Sequence, residues 1–555
     1  FGTKSLWDMK QVEIYRGAQS YAQGRNAIAG AVVMTSNDPT QEWEGAAKLN
    51  MGNHRLAQTA ALISGPVVKD ELAFRLSVDH QQRETAVDLP HYDPVGNPRW
   101  FKATNTRAKL LWTPSALPDL YSRLTFNHLN ARAPQSETEL QSHSPRYTPE
   151  RPVFQTRSAS TIWDIGYQLS ERWKWENKLV YTHFIHDRKT TSPFNTALPP
   201  NRRGVPARVD GNEFQIEPII KYESEKYRGL FGLFYFNAKQ DESVTMLNGR
   251  IARTPITTNF NDKTKTKAAF GEITFTPDIP FELTLSARYE QEHHQRKGKS
   301  AMFFINRDKK YNVFLPKTDI AWKINDDQRL GFKVGKGYNP GGAGVTFGVP
   351  YTSYEYDAEY VWNYELYHRW TSADKRLRIN SNLFYNDYKD MQLPFTLGPN
   401  SIVIRNADKV VTYGAEINTE WQATEKLALN AGIGMLKTDI KRYPNSGIEG
   451  NKLARAPSFS GKVGANYRLL DHLEIGTNYS YNSSYYSTAD NLANGKVGHY
   501  DQLDVYLAYD FKHARITLYA DNVLNSRKDI LLVPRSGDIT RQPERQIGLS
   551  TELRF

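Results

Sequence analysis

The stretch "FELTLSARYEQE" (residues 281–292) decides the fold class, because apolar and polar side chains alternate along it. Every second position from Phe281 to Tyr289 is apolar, and the residue after each of these five is polar, namely Glu, Thr, Ser, Arg and Glu in turn. A period of two is typical of a β-strand, whose successive side chains point to opposite faces. The same alternation occurs in "DQLDVYLAYDF" (501–511) and "KLALNAGIGM" (426–435). We therefore expect strands with one apolar face and one polar face.

The composition favours a membrane β-barrel. Aromatic residues make up 12% of the 555 residues, yet the mean hydropathy is −0.63. The sequence contains no run of apolar residues long enough for a transmembrane helix. A barrel combines both properties, because one face of each strand meets lipid and the other meets a polar lumen. Cysteine is absent, which excludes disulfides, thiol nucleophiles and cysteine-based metal sites.

The connections between the strand candidates indicate how the barrel is built. We count about 22 candidates after residue 41, the strand number of plugged outer-membrane transporters. Apart from a tight "GNHR" after the first strand, short and long connections alternate, as periplasmic turns and extracellular loops do. The short connections are expected at 65–71, 114–119, 170–173, 223–226, 276–280, 325–328, 372–375, 423–426, 469–472 and 511–514. The long ones are expected near 84–103, 131–155, 187–209, 241–263, 293–310, 338–354, 388–408, 439–456, 484–497 and 523–542.

The end of the chain fits the same fold. In "RQIGLSTELRF" (545–555) the apolar positions alternate up to the final Phe555. A terminal strand that ends in an aromatic residue is similar to the assembly signal of outer-membrane proteins. The alternative is an ordinary strand that happens to end in Phe. The sequence thus predicts an all-β fold, a 22-stranded antiparallel transmembrane β-barrel in the bacterial outer membrane.

The stretch "VEIYRGAQSYAQGRNAIAGAVVMTSNDPT" (12–40) differs from everything after it. It resembles the last part of the plug domain of TonB-dependent outer-membrane receptors, whose pattern is close to VEVLRGPxSxLYGxxAxGGVINIxTK. Ala18, Ala29 and Ser36 depart from this pattern. The matching residues are Val12, Glu13, Arg16, Gly17, Gln19, Ser20, Gly24, Asn26, Ala27 and Gly30.

Further segments resemble barrel motifs of the same family, in the family's order. They are "GKGYNPGG" (335–342), "NYELYHRW" (363–370), "LFYNDYKDMQ" (383–392), "NADKVVTYGAEINTEW" (406–421) and "LYADNVLNSR" (518–527). The resemblance implies that residues 1–40 are the C-terminal part of a plug and that residues 41–555 form the barrel. Since a plug of the family is much longer, we expect the rest of it and the TonB box to be missing here. The glycines Gly17, Gly24 and Gly30 suit tight turns in a plug, where space is limited.

The resemblance also implies a function, namely TonB-dependent active import of a ferric siderophore across the outer membrane. The expected partners are the TonB–ExbB–ExbD complex, the siderophore and outer-membrane lipid such as lipopolysaccharide, with no nucleic acid. We expect a monomer without a cofactor or a metal site. Cobalamin, haem or another large scarce ligand is the alternative cargo. A passive porin or an outer-membrane enzyme would be a different class, and the sequence lacks H-E-x-x-H, G-x-S-x-G and P-loop motifs.

One expected site joins plug and barrel. Arg16 needs carboxylate partners if it is buried, and the resemblance suggests Glu365 in "NYELY" and Glu416 in "GAEIN". These three residues would form an ionic latch. The alternative places Arg16 at the plug rim and both glutamates in lumen water.

A second expected site is the ligand vestibule formed by the long loops. With a net charge of +11, basic and aromatic loops would attract and stack on iron chelates. Solvated or lipid-bound arginines and an aromatic girdle are the alternatives for most of these side chains. Paired histidines such as His293 and His294 can bind a metal or haem. Because adjacent side chains on a strand point to opposite faces, metal binding there is the less favoured alternative. The expected ligand contacts are Tyr338, Tyr481, Tyr485, Arg99, Trp100, Arg202 and Arg203.

Overall fold

Two short strands precede the barrel. The computed structural model describes residues 5–16, 28, 30–140, 149–247, 253–398 and 401–555. Strands β1 (Met9–Arg16) and β2 (Gly30–Ser36) pair antiparallel, with Arg16 opposite Gly30. We call residues 5–16 and 30–40 the lumen segment. The glycines Gly17 and Gly24 of the expected plug motif lie outside the described residues, and so does the side chain of Arg16.

Among the described residues, 22 antiparallel strands form one closed barrel, as the sequence predicts. Each strand pairs with its neighbours in chain order, and the first pairs with the last. The barrel strands are β3 (Glu44–Gly52), β4 (Ala57–Val68), β5 (Leu72–Glu84), β6 (Trp100–Trp112), β7 (Leu120–Pro134), β9 (Val153–Gln168), β10 (Trp173–Lys189), β11 (Ala207–Glu223), β12 (Tyr227–Met246), β13 (Ile256–Phe275), β14 (Phe281–Lys299), β15 (Phe304–Asn325), β16 (Gln328–Asn339), β19 (Glu359–Thr371), β20 (Leu377–Gly398), β21 (Ser401–Gln422), β22 (Leu427–Arg442), β23 (Phe459–Leu470), β24 (Leu473–Asn482), β27 (Tyr500–Asp510), β28 (Ala514–Asp521) and β31 (Gln546–Arg554).

The remaining elements belong to the connections. Strands β8 (Glu139–Leu140), β29 (Asp529–Val533) and β30 (Asp538–Arg541) form one small sheet. Strands β17 (Gly342–Val345) and β18 (Ser353–Tyr356) pair, as do β25 (Tyr485–Tyr486) and β26 (Lys496–Val497). Two single-turn 3-10 helices span Pro200–Arg202 and Ala493–Gly495. The described part of the chain contains no helix that is both long and apolar enough to span a membrane.

Alternation along the strands sorts side chains between the outside and the lumen. On β14, Phe281, Leu285 and Tyr289 keep 45–48% of their surface exposed, whereas Arg288 and Glu290 are almost completely buried. The exposed apolar positions would face lipid, and the charged positions face the interior of the barrel. The strand pattern read from residues 281–292 is thus confirmed.

The barrel closes where the first barrel strand meets the last residue. The Gly45 amide donates to the Phe555 carbonyl and the Phe555 amide donates to the Gly45 carbonyl, both at 3.1 Å. The Phe555 ring lies over Gly45 so closely that a Cβ atom there would collide with it. Phe555 is nevertheless 77% exposed. Glycine at position 45 therefore leaves room for the aromatic ring of Phe555 at the seam.

The two rims differ as expected, with one correction. Short turns connect strands on one rim, while longer connections and the tight turn after β3 lie on the other. The segments 241–263, 293–310 and 388–408 were expected to be loops, but most of each is strand. β14 and β15 join through residues 300–303, and β20 pairs with β21 as far as Gly398 and Ser401. These strands of up to 22 residues exceed the 9–11 residues that cross a bilayer, so the hairpins project beyond it.

Candidate functional site

Three cations project into the lumen from neighbouring strands near the short-turn rim. They are Arg75 on β5, Lys109 on β6 and Arg123 on β7, and we call them the anchor sector. Leu76, Leu110 and Phe126, at positions of the opposite face on the same three strands, are exposed on the outer surface. Arg75 lies directly opposite Lys109 in the β5–β6 register. Like charges placed in this way repel each other, so the sector requires carboxylate partners.

Arg75 finds its main partner in the lumen segment. Its Nε donates to Asp8 Oδ2 at 2.7 Å and its Nη2 to Asp8 Oδ1 at 2.5 Å. Only 4% of the Arg75 side chain and 1% of the Asp8 side chain are exposed. Glu44, at the start of the first barrel strand, accepts a further hydrogen bond from Arg75 Nη1. A two-bond arginine–carboxylate pair fixes direction as well as distance, so it holds the lumen segment in one position.

Lys109 and Arg123 hold the stretch that leads from β2 to the barrel. Arg123 donates to both oxygens of Asp38, at 2.8 and 2.9 Å. Lys109 Nζ donates to Ser36 Oγ at 2.7 Å and lies 3.3 Å from Asp38 Oδ1. Partial burial opposes ionisation of Asp38, but the hydrogen bonds and charges of Arg123 and Lys109 outweigh it. The pKa of Asp38 therefore lies below its ordinary value.

Apolar and neutral contacts complete this attachment. Trp7 is 8% exposed and packs on Ala46, Ala60 and Leu62 of β3 and β4. Its indole Nε1 donates to the Ala61 carbonyl at 3.2 Å. The lumen segment thus combines a buried aromatic ring with ion pairs on the same side of the barrel.

A polar cavity of about 720 Å³ lies beside the attachment. Its walls are residues of β5, β6, β7, β9 and β10 together with parts of the lumen segment. The charged groups that line it are Lys10, Asp38, Asp79, Arg107, Lys109, Arg123, Asp164 and Lys178. The lumen on this side is therefore charged and polar.

The expected latch residues on the barrel lie close to each other. Glu365 on β19 is 8% exposed and accepts a hydrogen bond from Asn382 Nδ2 on β20. Asn382 lies opposite Glu416 of β21 in the next strand pair. Lys333 Nζ lies 3.8 Å from Glu365 Oε2. Both glutamates occupy inward positions, since their neighbours Leu366 and Ile417 are exposed outside. We call these two glutamates the latch sector; the contact with Arg16 stays a prediction.

Tyr338 does not occupy the position expected of a ligand contact. Its side chain is completely buried and packs with Val313 and Leu315 of β15. The hydroxyl donates to Glu290 Oε2, and the ring stacks on Tyr360 at 6.3 Å. Wall packing removes the whole side chain from solvent, which disfavours Tyr338 as a ligand contact in this structure.

The two other tyrosines also serve structural roles. Tyr481 shares a strand face with the exposed Tyr479 and packs on Phe459 and His499. This is the position of an outer aromatic girdle rather than of a lumen contact. Tyr485 is 9% exposed, and its hydroxyl donates to the Ile530 carbonyl at 2.5 Å. Burial and the neighbouring Tyr500 raise the pKa of Tyr485 to about 12.

In the structure, the arginines expected to contact a ligand form hydrogen bonds with backbone and side-chain groups of the connections between strands. Arg99 donates twice to the Thr85 carbonyl, at 2.8 and 3.1 Å. Arg203 donates to the Leu198 carbonyl at 2.9 Å. Arg202 pairs with Glu150 of another connection and keeps 39% of its side chain exposed. Trp100 lies under the cations of Arg55 and Lys102, at 5.9 and 4.7 Å.

Several long connections are joined into one layer, which we call the canopy. It consists of the described parts of 135–152, 483–499 and 522–545. β8 pairs with β30, and Thr138 and Thr540 share a hydrogen bond of 2.8 Å between their hydroxyls. Tyr485 and Ser487 bond to the backbone of β29. The canopy therefore acts as one unit at the long-loop rim.

The paired histidines separate as the strand geometry predicts. His293 Nε2 lies 2.6 Å from Asp308 Oδ1 on the exposed face, and His294 Nε2 lies 3.4 Å from the mostly buried Asp262. Within the described ranges, no group of three or more His, Cys, Asp or Glu side chains could hold a metal ion.

Sequence reasoning did not find the anchor sector. The available signal is the period-two placement of cations in "AFRLSVD", "TRAKLLW" and "YSRLTF", together with Asp8 and Asp38 in the lumen segment. Alternation predicts that these cations face inward, but it does not say which carboxylate reaches which cation. Their pairing depends on how the lumen segment lies inside the barrel.

The sequence matches one family model and several characterised receptors. A family model described as "TonB dependent receptor-like, beta-barrel" matches residues 90–525. The pesticin receptor of Yersinia pestis is 22% identical over 306 residues, covering 52% of this chain and 44% of that receptor. The ferrioxamine B receptor of Salmonella typhimurium is 23% identical over 181 residues, covering 32% of this chain and 26% of that receptor. The chain thus matches less than half the length of these curated relatives.

A solved structure shares the architecture across nearly the whole chain. The crystal structure of the ferric yersiniabactin uptake receptor FyuA from Yersinia pestis superimposes with a TM-score of 0.82. The alignment covers 99% of this chain and 85% of that one, at 18% identity. At this identity the likeness shows the fold alone.

Proposed function

The chain belongs to the TonB-dependent receptor-like β-barrel family of the outer membrane, and from this premise we propose that it imports a ferric siderophore with energy supplied through TonB. The observation that carries the proposal is the family match, which extends over most of a closed 22-strand barrel. Two of the matched relatives are named receptors for pesticin and ferrioxamine B, and the superimposed structure is a ferric yersiniabactin receptor. These names favour an iron chelate as the cargo.

The lumen supports a transport role of this kind. Many of the described inward side chains are charged and hydrogen-bonded, as in the anchor sector, and such a wall suits the passage of a polar solute. The lumen segment is held on one side by the anchor sector, through Asp8 and Asp38. An inner-membrane partner that pulls on a plug would act against such contacts. We propose that the anchor sector keeps this part of the plug in place while the rest of it rearranges.

We propose that the ligand first binds at the long-loop rim, between the canopy and the projecting hairpins. Arg202, which is partly exposed beside Glu150, is the sequence-derived candidate that this geometry favours. A cation there would attract an anionic chelate over a distance of about 8 Å at physiological salt. The Arg16–Glu365–Glu416 latch is retained as a second proposal, because both glutamates face the lumen on nearby strands.

Ligand titration with the full-length protein in detergent tests the cargo. Intrinsic tryptophan fluorescence is followed against ferric catecholate, hydroxamate and phenolate siderophores, haem and cyanocobalamin. We expect saturable quenching by one ferric siderophore and none by its iron-free form at the same concentration. Binding of haem or cyanocobalamin alone would overturn the siderophore assignment and leave a receptor for another large ligand.

Uptake in cells tests the energy source. Cells that carry the full-length receptor take up the radiolabelled iron complex, in strains with and without TonB. We expect uptake only where TonB is present, with equal surface binding in both strains. Equal uptake in both strains would contradict energised transport and favour a passive pore.

A further inference from the structure

The polar cavity beside the anchor sector lies between the lumen segment and the barrel wall, and we call it the wall cavity. Lys10 and residues 33–36 line it on one side, and strands β5, β6, β7, β9 and β10 line it on the other. Along β7 it extends from Arg123 to Leu129, which is about 20 Å at the rise of a strand. Its volume of about 720 Å³ is within the range of small-molecule sites.

The charges that line the wall cavity do not balance. With histidine counted as neutral, five cations and three carboxylates line it, so two positive charges are in excess. The two cations of the anchor sector that line it are paired with Asp38. The remaining cations, Lys10, Arg107 and Lys178, form no ion pair with any carboxylate in the part of the chain that the structure describes.

Arg107 is the most enclosed of these three cations, since Lys10 and Lys178 are exposed. It lies on β6 between Ser77 of β5 and Asn127 of β7 in the strand register. Its Nε donates to Asn127 Oδ1 at 3.0 Å, and no described residue accepts a hydrogen bond from its two terminal nitrogens. Arginine binds carboxylate and phosphate oxygens through these nitrogens, so Arg107 keeps its capacity for an anion.

The carboxylates near Arg107 have other partners. Asp8 is bound by Arg75 through two hydrogen bonds. Asp79 accepts a hydrogen bond from Ser5 Oγ at 2.5 Å. Removal of a cation from bulk water is costly unless a partner compensates for it. An anion taken up from solution would therefore stabilise this arrangement.

We propose that the wall cavity is an anion site, in which Arg107 binds a carboxylate or phosphate group of a small solute. Lys10 and Lys178 add attraction, and hydroxyl groups of the same cavity, such as those of Ser77 and Ser160, donate to the remaining oxygen atoms. Because Lys10 belongs to the lumen segment and Arg107 to the wall, a bound anion joins the two and holds the lumen segment more firmly. The site lies apart from the long-loop rim, so it does not rest on the cargo assignment.

The test uses the full-length protein in detergent, titrated in a calorimeter with citrate and with inorganic phosphate. R107Q removes the enclosed cation, and K178Q removes an exposed cation of the same cavity. The matched control K462Q removes an exposed cation from β23, a strand that does not line the cavity. Heat-dependent gel migration checks that each barrel is folded, and amide hydrogen exchange locates the bound anion.

We expect saturable binding of at least one of the two anions to wild type. Binding should be about tenfold weaker or worse in R107Q, where charge-assisted hydrogen bonds are lost, less weakened in K178Q and unchanged in K462Q. The bound anion should slow exchange of residues 9–10 and 33–36 in wild type but not in R107Q. Tighter binding of citrate would assign the site to carboxylate solutes, and tighter binding of phosphate would assign it to phosphate or its esters; either result supports the anion site.

Three results would overturn the proposal. The first is no saturable binding of either anion to wild type. The second is an equal loss in R107Q and K462Q, because the effect would then follow net charge rather than this cavity. The third is slower exchange in the long connections instead of residues 9–10 and 33–36, which would place the anion at the long-loop rim.

Discussion

The anchor sector and the latch sector occupy two parts of the same lumen and have opposite charge. In the anchor sector, Arg75, Lys109 and Arg123 are barrel cations, and the lumen segment supplies the carboxylates Asp8 and Asp38. In the latch sector, the barrel supplies Glu365 and Glu416, and the lumen segment would supply Arg16. In the anchor sector, both the cations and their carboxylate partners belong to the described residues. In the latch sector, the two barrel glutamates are described, but the side chain of Arg16 is not. A plug held by pairs of opposite polarity on two sides has one defined orientation in the barrel.

Breaking the anchor sector should have the largest effect. The R75A substitution leaves the buried Asp8 carboxylate without its cation, and removal of one partner of a buried pair costs about 3–5 kcal/mol. We expect amide hydrogen exchange of residues 5–9 to accelerate about a hundredfold or more. The barrel itself should remain folded and heat-resistant on gels.

The R378A variant is the control for this prediction, because it removes an exposed arginine that pairs with Glu420 on the short-turn rim. Exchange of residues 5–9 should not change in it. Unchanged exchange in R75A itself would mean that Trp7 and the remaining bonds hold the lumen segment without the ion pair.

Acidification should weaken the anchor sector at Asp38. Because its pKa is lower in the folded protein than the ordinary 3.8, ionisation of Asp38 contributes stability above that ordinary pKa. This contribution is lost as pH falls below 3.8 and through the lowered folded pKa. We expect exchange of residues 36–40, corrected for intrinsic rates, to rise over this range.

The D38N variant removes the titrating group. Amide exchange at its residues 36–40 should be faster than in wild type at neutral pH, and the corrected exchange rate should change less with pH below 4. If wild type and D38N show the same pH profile, another carboxylate controls this part of the lumen segment.

The latch sector should give the smallest effect. The E365Q/E416Q double variant removes both negative charges but keeps amide groups of similar size, which can still bond to Asn382. If Arg16 pairs with them, loss of the charge-assisted bonds costs about 1–3 kcal/mol. We expect faster exchange of residues 9–16 by about tenfold, with residues 36–40 unchanged.

The N382A variant separates the two explanations for that result. It removes a neighbour of both glutamates but leaves their charges intact, so it should preserve protection of residues 9–16. Equal losses in N382A and the double variant would indicate wall packing rather than a latch.

The fold was accessible from sequence because its main signal is local. Alternation over ten residues, as in 281–290, indicates which side chains face lipid. When about 22 such strands follow each other along the chain, the pattern predicts a closed barrel. The projecting hairpins at 293–310 and 388–408 were missed for a related reason. In the projecting parts, apolar side chains such as Ile305 and Leu393 are buried against neighbouring strands and connections. The alternation of apolar outward and polar inward positions is lost there, so such a segment looks like a loop in the sequence.

The site was less accessible, because its contacts join residues far apart in the chain. Arg75 and Asp8 are 67 residues apart, and Tyr485 bonds to a carbonyl 45 residues away. Tyr338 was chosen for its place in a glycine-rich motif, yet burial among β14–β16 decides its role. Residue type indicated which groups could bind, and only the three-dimensional arrangement indicated which are already bound.

The seam between Gly45 and Phe555 makes completion of the barrel depend on β31, which pairs with β28 on one side and with β3 on the other. Until β31 arrives, β3 and β28 both present unpaired backbone edges, which are templates for association with other chains. The two ends that must meet are separated by nearly the whole polypeptide, and closing a loop of that length carries an entropic cost. Without β31 the remaining barrel strands would therefore form an open sheet with two unpaired edges rather than a slightly smaller barrel.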